Sequence, residues 1–117
     1  MTGSEKRRYV MFALLGVAGL VLKSRYAGPL SATIHDHGGN FAASFAVYFV
    51  ASIGVSATGL GPLAAAALAL LVVELFEATD GFGVMSNVYD PGDYVANAAG
   101  VLVAVAVDLA VRRARRI

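Results

Sequence analysis

This chain of 117 residues is too apolar for an ordinary soluble domain, because 58% of its residues are hydrophobic, 15% are charged and its mean hydropathy is +0.71. The length leaves room for one domain, and the absence of cysteine excludes a disulfide framework, a thiol nucleophile and a thiolate metal site. The net charge of +1 conceals an asymmetry: all nine Lys and Arg residues lie before Tyr26 or after Val111, and every fixed charge between those points is acidic.

This separation of charges predicts an integral membrane protein. Soluble surfaces usually intersperse both signs of charge, whereas membrane proteins keep basic residues on the cytoplasmic side. Two basic ends therefore predict an N-in, C-in topology with an even number of crossings. Only Lys23 and Arg25 lie on the outer side in this topology, against seven basic residues nearer the two ends.

The first predicted span covers residues 9–25, where Tyr9 and Tyr26 are placed as an aromatic belt at the two interfaces. The basic residues before it also resemble the start of a signal peptide. No small-x-small cleavage site follows, so we interpret this segment as an uncleaved span. The second predicted span, residues 41–58, carries no charge.

The third and fourth predicted spans are residues 63–78 and 93–111. A tight turn over residues 59–62 contains two glycines and a proline, which end one helix and make its successor an antiparallel neighbour. The predicted fold is thus all-α: a single transmembrane four-helix bundle over residues 1–117, multi-pass in the cytoplasmic membrane.

Two carboxylates lie within the third predicted span. Glu74 and Glu77 are three residues apart and share one face of a helix near its outer end. Ionised carboxylates are costly in lipid, so they usually face the bundle interior, a cavity or a partner. Both are candidate ligand-binding residues. The alternative is that Glu77 lies in the headgroup layer and that hydrogen bonds hold Glu74.

The fourth predicted span begins with a polar stripe. Asp93, Asn97 and Gly100 recur on one helical face, and Asp90 or Asp93 can cap the helix start after the turn made by Pro91 and Gly92. Capping does not explain Asn97, because an amide one turn deeper needs a partner. We therefore predict that Asn97 meets Glu74, and we add Asp90, Asp93 and Asn97 to the candidate ligand-binding set.

A row of small residues on the same helix, Ala96, Gly100 and Ala104, permits close helix approach and predicts packing rather than activity.

Outer histidines and carboxylates raise the question of a metal. His35 and His37, with Asp36, Asp80, Asp90 and Asp93, offer ligand types that zinc accepts, but no His-x-x-x-His or Glu-x-x-His spacing is present. We interpret His35 to His37 as part of a polar loop and predict no metal and no cofactor. Nucleotide-binding fingerprints are absent from the sequence. The C-terminal arginines predict an anchor to anionic lipid rather than nucleic-acid binding.

The pattern from the third span onward resembles the VanZ-like family of small membrane proteins, in which a Glu-x-x-Gln helix precedes an Arg-aromatic-Asp-x-x-Asp-x-x-x-Asn-x-x-Gly segment. The matching positions here are Glu74, Asp90, Asp93, Asn97 and Gly100. Two positions differ, because Glu77 replaces the family's Gln and Asn87 stands where many members carry Arg. Losing that Arg removes an internal partner for the carboxylates. The resemblance implies an envelope protein of a family linked to teicoplanin resistance, without a defined reaction.

Three functions remain open on this basis. The first is a non-catalytic or accessory envelope protein whose Glu74, Glu77, Asp93 and Asn97 bind a lipid or glycolipid headgroup, an envelope precursor or a partner subunit. The second is a small oligomeric proton-coupled transporter or channel. The third is a membrane enzyme that acts on a lipid-linked substrate. The expected partners are membrane lipids and either a second copy or another membrane protein.

Overall fold

The computed structural model describes residues 2–79 and 91–115. It confirms the all-α prediction: within these ranges the chain forms four α-helices and a short 3-10 turn, with no β-strand. The helices are α1 (Gly3–Leu22), α2 (Ser31–Ser56), α3 (Pro62–Ala78) and α4 (Pro91–Arg115).

Local chemistry explains where the helices begin. The Thr2 side chain caps α1 by accepting a 3.1 Å hydrogen bond from the backbone N–H of Glu5. In the turn between α2 and α3, Gly59 adopts a positive φ of 78°, a conformation that glycine reaches without steric cost. Pro62 then opens α3, where its missing N–H leaves no hydrogen bond unmade.

The second helix corrects the predicted boundaries. It begins at Ser31 rather than Phe41, so His35, Asp36 and His37 lie on a helix and not in a loop. Without an interior proline, nothing interrupts the backbone hydrogen bonds there. A hydrogen bond joins the 3-10 turn to the N-terminal part of α2: Lys23 Nζ donates to the carbonyl oxygen of His35 (3.2 Å).

The helix α2 lies at the centre of the bundle. Of the described helices, α1 packs mainly against α2, and side chains of its N-terminal turns reach α4; α2 also contacts α3 and α4, which contact each other. α2 and α4 run parallel, because residues later in α2 contact residues later in α4. α1 runs antiparallel to α2. At Gly16 of α1, an added Cβ would lie 2.9 Å from the carbonyl oxygen of Ala42, so the absence of a side chain sets this close approach.

The bundle combines an apolar core with buried polar residues and with large apolar side chains on its exterior. Among residues 2–79 and 91–115, five polar residues are buried, namely Ser44, Ser52, Glu77, Asn97 and Asp108. The exterior of α1 is apolar, with Leu14 62% and Val21 66% exposed, and Leu63 of α3 is 78% exposed. Of the helices in the described part of the chain, α2 and α4 are long and apolar enough, by length and composition, to cross a membrane.

Candidate functional site

Asn97 lies at the junction of three helices and is almost fully buried. Its side-chain Nδ2 donates to the Glu74 carboxylate (2.9 Å) and to the carbonyl oxygen of Val73 (3.3 Å), both on α3. Its Oδ1 accepts from the hydroxyl of Ser44 on α2 (3.1 Å). The two residues that the sequence predicts to meet, Glu74 and Asn97, are therefore in direct contact. Because both amide protons and the amide oxygen are engaged, Asn97 primarily joins helices.

The two glutamates of α3 occupy different environments. Ala65, Ala69, Val73 and Glu77 recur every fourth residue and form the buried face of this helix. Glu77 is thus directed into the bundle. Glu74 lies beside this face, partly exposed, and turns one carboxylate oxygen toward Asn97. Of the two, Glu74 keeps access to the surroundings.

Asp93 pairs with His37, which is predicted from the sequence to lie in a loop. Its carboxylate oxygen lies 3.2 Å from Nδ1 of His37, with the His37 and Asp93 side chains 30% and 18% exposed. This pair joins the first turn of α4 to α2. Asp90, the other predicted ligand-binding residue of this segment, lies outside the described residues, as does Asn87.

An apolar groove of about 520 Å³ opens beside the His37–Asp93 pair, between α2 and α4. Its lining is Thr33, Ile34, His37, Gly38 and Phe41 from α2 with Gly92, Val95, Ala96 and Ala99 from α4. Glu74, Asp93 and Asn97 do not line it, and Asp93 lies next to it through its contact with His37. The predicted acidic site is therefore divided, with an internally bonded junction at Asn97 and a partly exposed pair, His37 and Asp93, at the groove.

The histidines do not converge on a common centre. His35 Nε2 lies 2.9 Å from the carbonyl oxygen of Tyr26, whereas His37 contacts Asp93. Within residues 2–79 and 91–115, no three His, Asp or Glu side chains are grouped so that they could hold a metal ion.

The small residues of α4 lie at its contact with α2. Ala96, Gly100 and Ala104 are all buried. A Cβ added at Gly100 would come within 2.3 Å of the carbonyl oxygen of Phe41 and 3.0 Å of Ser44 Cβ. The backbone contact at Gly100 is what allows the Ser44 hydroxyl to reach Asn97 on the preceding turn.

A second polar cluster, at the opposite end of the bundle, is not predicted from the sequence. Asp108 is fully buried and accepts hydrogen bonds from Tyr48 (2.5 Å) and from Arg112 Nε (3.0 Å), while Arg8 lies 4.0 Å away. Arg112 also donates to the hydroxyl of Tyr9. In the sequence, the spacing of Asp108 and Arg112 by one helical turn indicates that these two side chains can pair. The roles of Tyr48 and Tyr9 required the tertiary structure.

Searches of protein-family models, curated proteins and solved structures find no match to this chain. The resemblance to the VanZ-like family therefore stays a prediction from the motif residues.

Proposed function

We propose that this chain is a multi-pass protein of the cytoplasmic membrane and that it binds an amphiphile, with the acyl chain in the α2–α4 groove and the polar headgroup at His37 and Asp93. The observation that carries the proposal is the groove itself, whose lining is apolar apart from Thr33 and His37, and His37 contacts Asp93 just outside that lining. A ligand that fills it needs an apolar body and a polar end.

The exposed surface supports the membrane environment. Large apolar side chains cover α1 and α3, and a contiguous apolar exterior of this kind is typical of contact with lipid or with another protein. At 26 residues, α2 is about 39 Å long at ~1.5 Å per residue, more than the ~30 Å hydrocarbon core. The N-terminal turns of α2, which include His37, would then reach the headgroup layer.

The polar groups indicate the chemistry of the headgroup. The Asp93 carboxylate accepts hydrogen bonds, and Glu74, outside the groove lining, carries a second, partly exposed carboxylate on α3. Carboxylates favour a headgroup with hydroxyl or amino donors, as in a glycolipid or an envelope precursor. This agrees with the envelope role that the VanZ-like resemblance implies, and it requires no catalytic step.

Mass spectrometry of lipids that co-purify with the protein tests this proposal. Ala99→Phe places a ring in the groove, whereas Leu102→Phe enlarges a residue on the same helix that is 64% exposed and outside the groove. We expect Ala99→Phe to lose a lipid species that wild type and Leu102→Phe retain. The same species should weaken in Asp93→Asn. Equal lipid content in all four proteins would contradict the proposal.

A further inference from the structure

The end of the bundle opposite the groove contains a basic cavity. The first turns of α1 and the last turns of α4 line an open cavity of about 320 Å³, which we call the terminal cavity. Its lining consists of Thr2, Glu5, Arg8, Arg112 and Arg115. Three guanidinium groups thus converge from two helices.

The acidic groups nearby do not balance these three cations. Asp108 lies below the cavity and is shared by Arg112, at 3.0 Å, and Arg8, at 4.0 Å. Glu5 accepts a hydrogen bond from the Thr2 hydroxyl (3.3 Å), within the first turn of α1. Arg115 contacts only an uncharged group among the polar contacts described for it, the Ser4 hydroxyl at 3.2 Å. Among the described residues, the cavity therefore retains an excess positive charge.

Arg8 supplies an independent reason to expect a ligand. Its side chain is only 9% exposed, and its Nε has no hydrogen-bond partner among the described residues. A buried donor that lacks an acceptor is destabilising, and most such donors in folded proteins find one. An anion in the terminal cavity can provide that acceptor and offset the excess charge.

We propose that the terminal cavity binds a phosphate group through Arg8, Arg112 and Arg115. Guanidinium groups present paired N–H donors that match the spacing of phosphate oxygens, and several of them around one site favour a phosphate over a singly charged halide. A free phosphate and the phosphodiester of an anionic lipid share this chemistry. The site is distinct from the α2–α4 groove and does not depend on what that groove binds.

Thermal unfolding of the full chain in detergent tests the site. Two probes are added separately: sodium phosphate, compared with sodium chloride at equal ionic strength, and phosphatidylglycerol, compared with phosphatidylcholine. Arg115→Gln removes one cavity cation whose described contact is a single surface hydrogen bond. Arg113→Gln is the matched control, because it makes the same change in charge at an exposed position outside the cavity lining.

We expect at least one probe to raise the unfolding temperature of wild type and of Arg113→Gln. Arg115→Gln should need a concentration ~10-fold higher for the same shift, as expected for loss of a charged hydrogen bond. A response to sodium phosphate identifies free phosphate as sufficient, and a response to phosphatidylglycerol alone identifies a lipid headgroup. No shift with either probe, or equal weakening in both variants, would overturn the proposal.

Discussion

The hydroxyl of Tyr48 donates a 2.5 Å hydrogen bond to the buried carboxylate of Asp108, 60 residues further along the chain. This contact joins α2 to α4 where the interior is shielded from water. Charged hydrogen bonds are strong in such surroundings, and an unsatisfied carboxylate there is costly.

Removing this hydroxyl should destabilise the protein. We expect Tyr48→Phe to lower the free energy of unfolding by about 1.5–3 kcal/mol, because Asp108 loses one of its donors while the ring still fills its site. Tyr26→Phe is the control, since the Tyr26 hydroxyl donates to Pro29 in an exposed turn. Thermal unfolding in detergent measures the stability of both variants. Equal loss of stability in the two would show that the buried hydrogen bond contributes no more than the exposed one.

The close contact at Gly100 predicts a strong effect from a single methyl group. Gly100→Ala should cost about 1–3 kcal/mol, because its Cβ meets the backbone of α2 rather than a flexible side chain. Gly54→Ala is the matched helical control, since nothing lies within 4 Å of its added Cβ, and it should be neutral or stabilise by up to ~1 kcal/mol. Chemical unfolding of the reconstituted protein compares them. A Gly100→Ala variant as stable as Gly54→Ala would mean that α4 can shift away from α2 without loss of stability.

Substitutions at Asn97 and Glu74 should affect stability and lipid binding differently. Asn97→Ala removes hydrogen bonds on α2 and α3 at once and should cost ~2 kcal/mol at most, since interhelical hydrogen bonds in membranes average only ~0.6 kcal/mol. Glu74→Gln keeps an oxygen acceptor for Asn97, so its unfolding temperature should stay close to that of wild type.

If Glu74 serves the headgroup, however, Glu74→Gln should lose the co-purified lipid despite unchanged stability. Lipid mass spectrometry alongside thermal unfolding distinguishes these effects. Full lipid retention in Glu74→Gln would restrict this residue to helix packing.

The topology can be tested with single cysteines, because the chain has none of its own. Ala27, Ala57 and Ala114 are exposed; Ala27 and Ala114 lie outside the predicted spans, and Ala57 directly follows the last residue of α2, Ser56. An impermeant thiol reagent should label Ala27→Cys in intact cells, but Ala57→Cys and Ala114→Cys only after permeabilisation. Labelling of Ala27→Cys and Ala57→Cys from the same side would show that α2 does not cross the membrane.

The sequence predicted the four helices because long apolar runs are bounded by Gly, Pro and charge. Its boundaries were least accurate at α2, where a polar start concealed a helix that continues beyond the apolar run. His37 illustrates the consequence: placed in a loop, it had no predicted partner, whereas on the helix it meets Asp93.

The candidate site was predictable only in part. The contact of Glu74 with Asn97 followed from two polar residues at similar depth on consecutive helices. The cluster at Asp108 did not follow, because it joins α1, α2 and α4, and the residues involved are as much as 103 positions apart. Local spacing carries no information on such pairs.

The polar contacts between α2 and α4 also limit how these helices can move. His37 with Asp93, Ser44 with Asn97, and Tyr48 with Asp108 are distributed along the length of both helices. A slide of one helix past the other by a single turn would break all three pairs together and leave their buried members without partners, which packed interiors resist. Any opening of the groove for a ligand must therefore occur by outward tilting at its end, with the register of α2 and α4 unchanged.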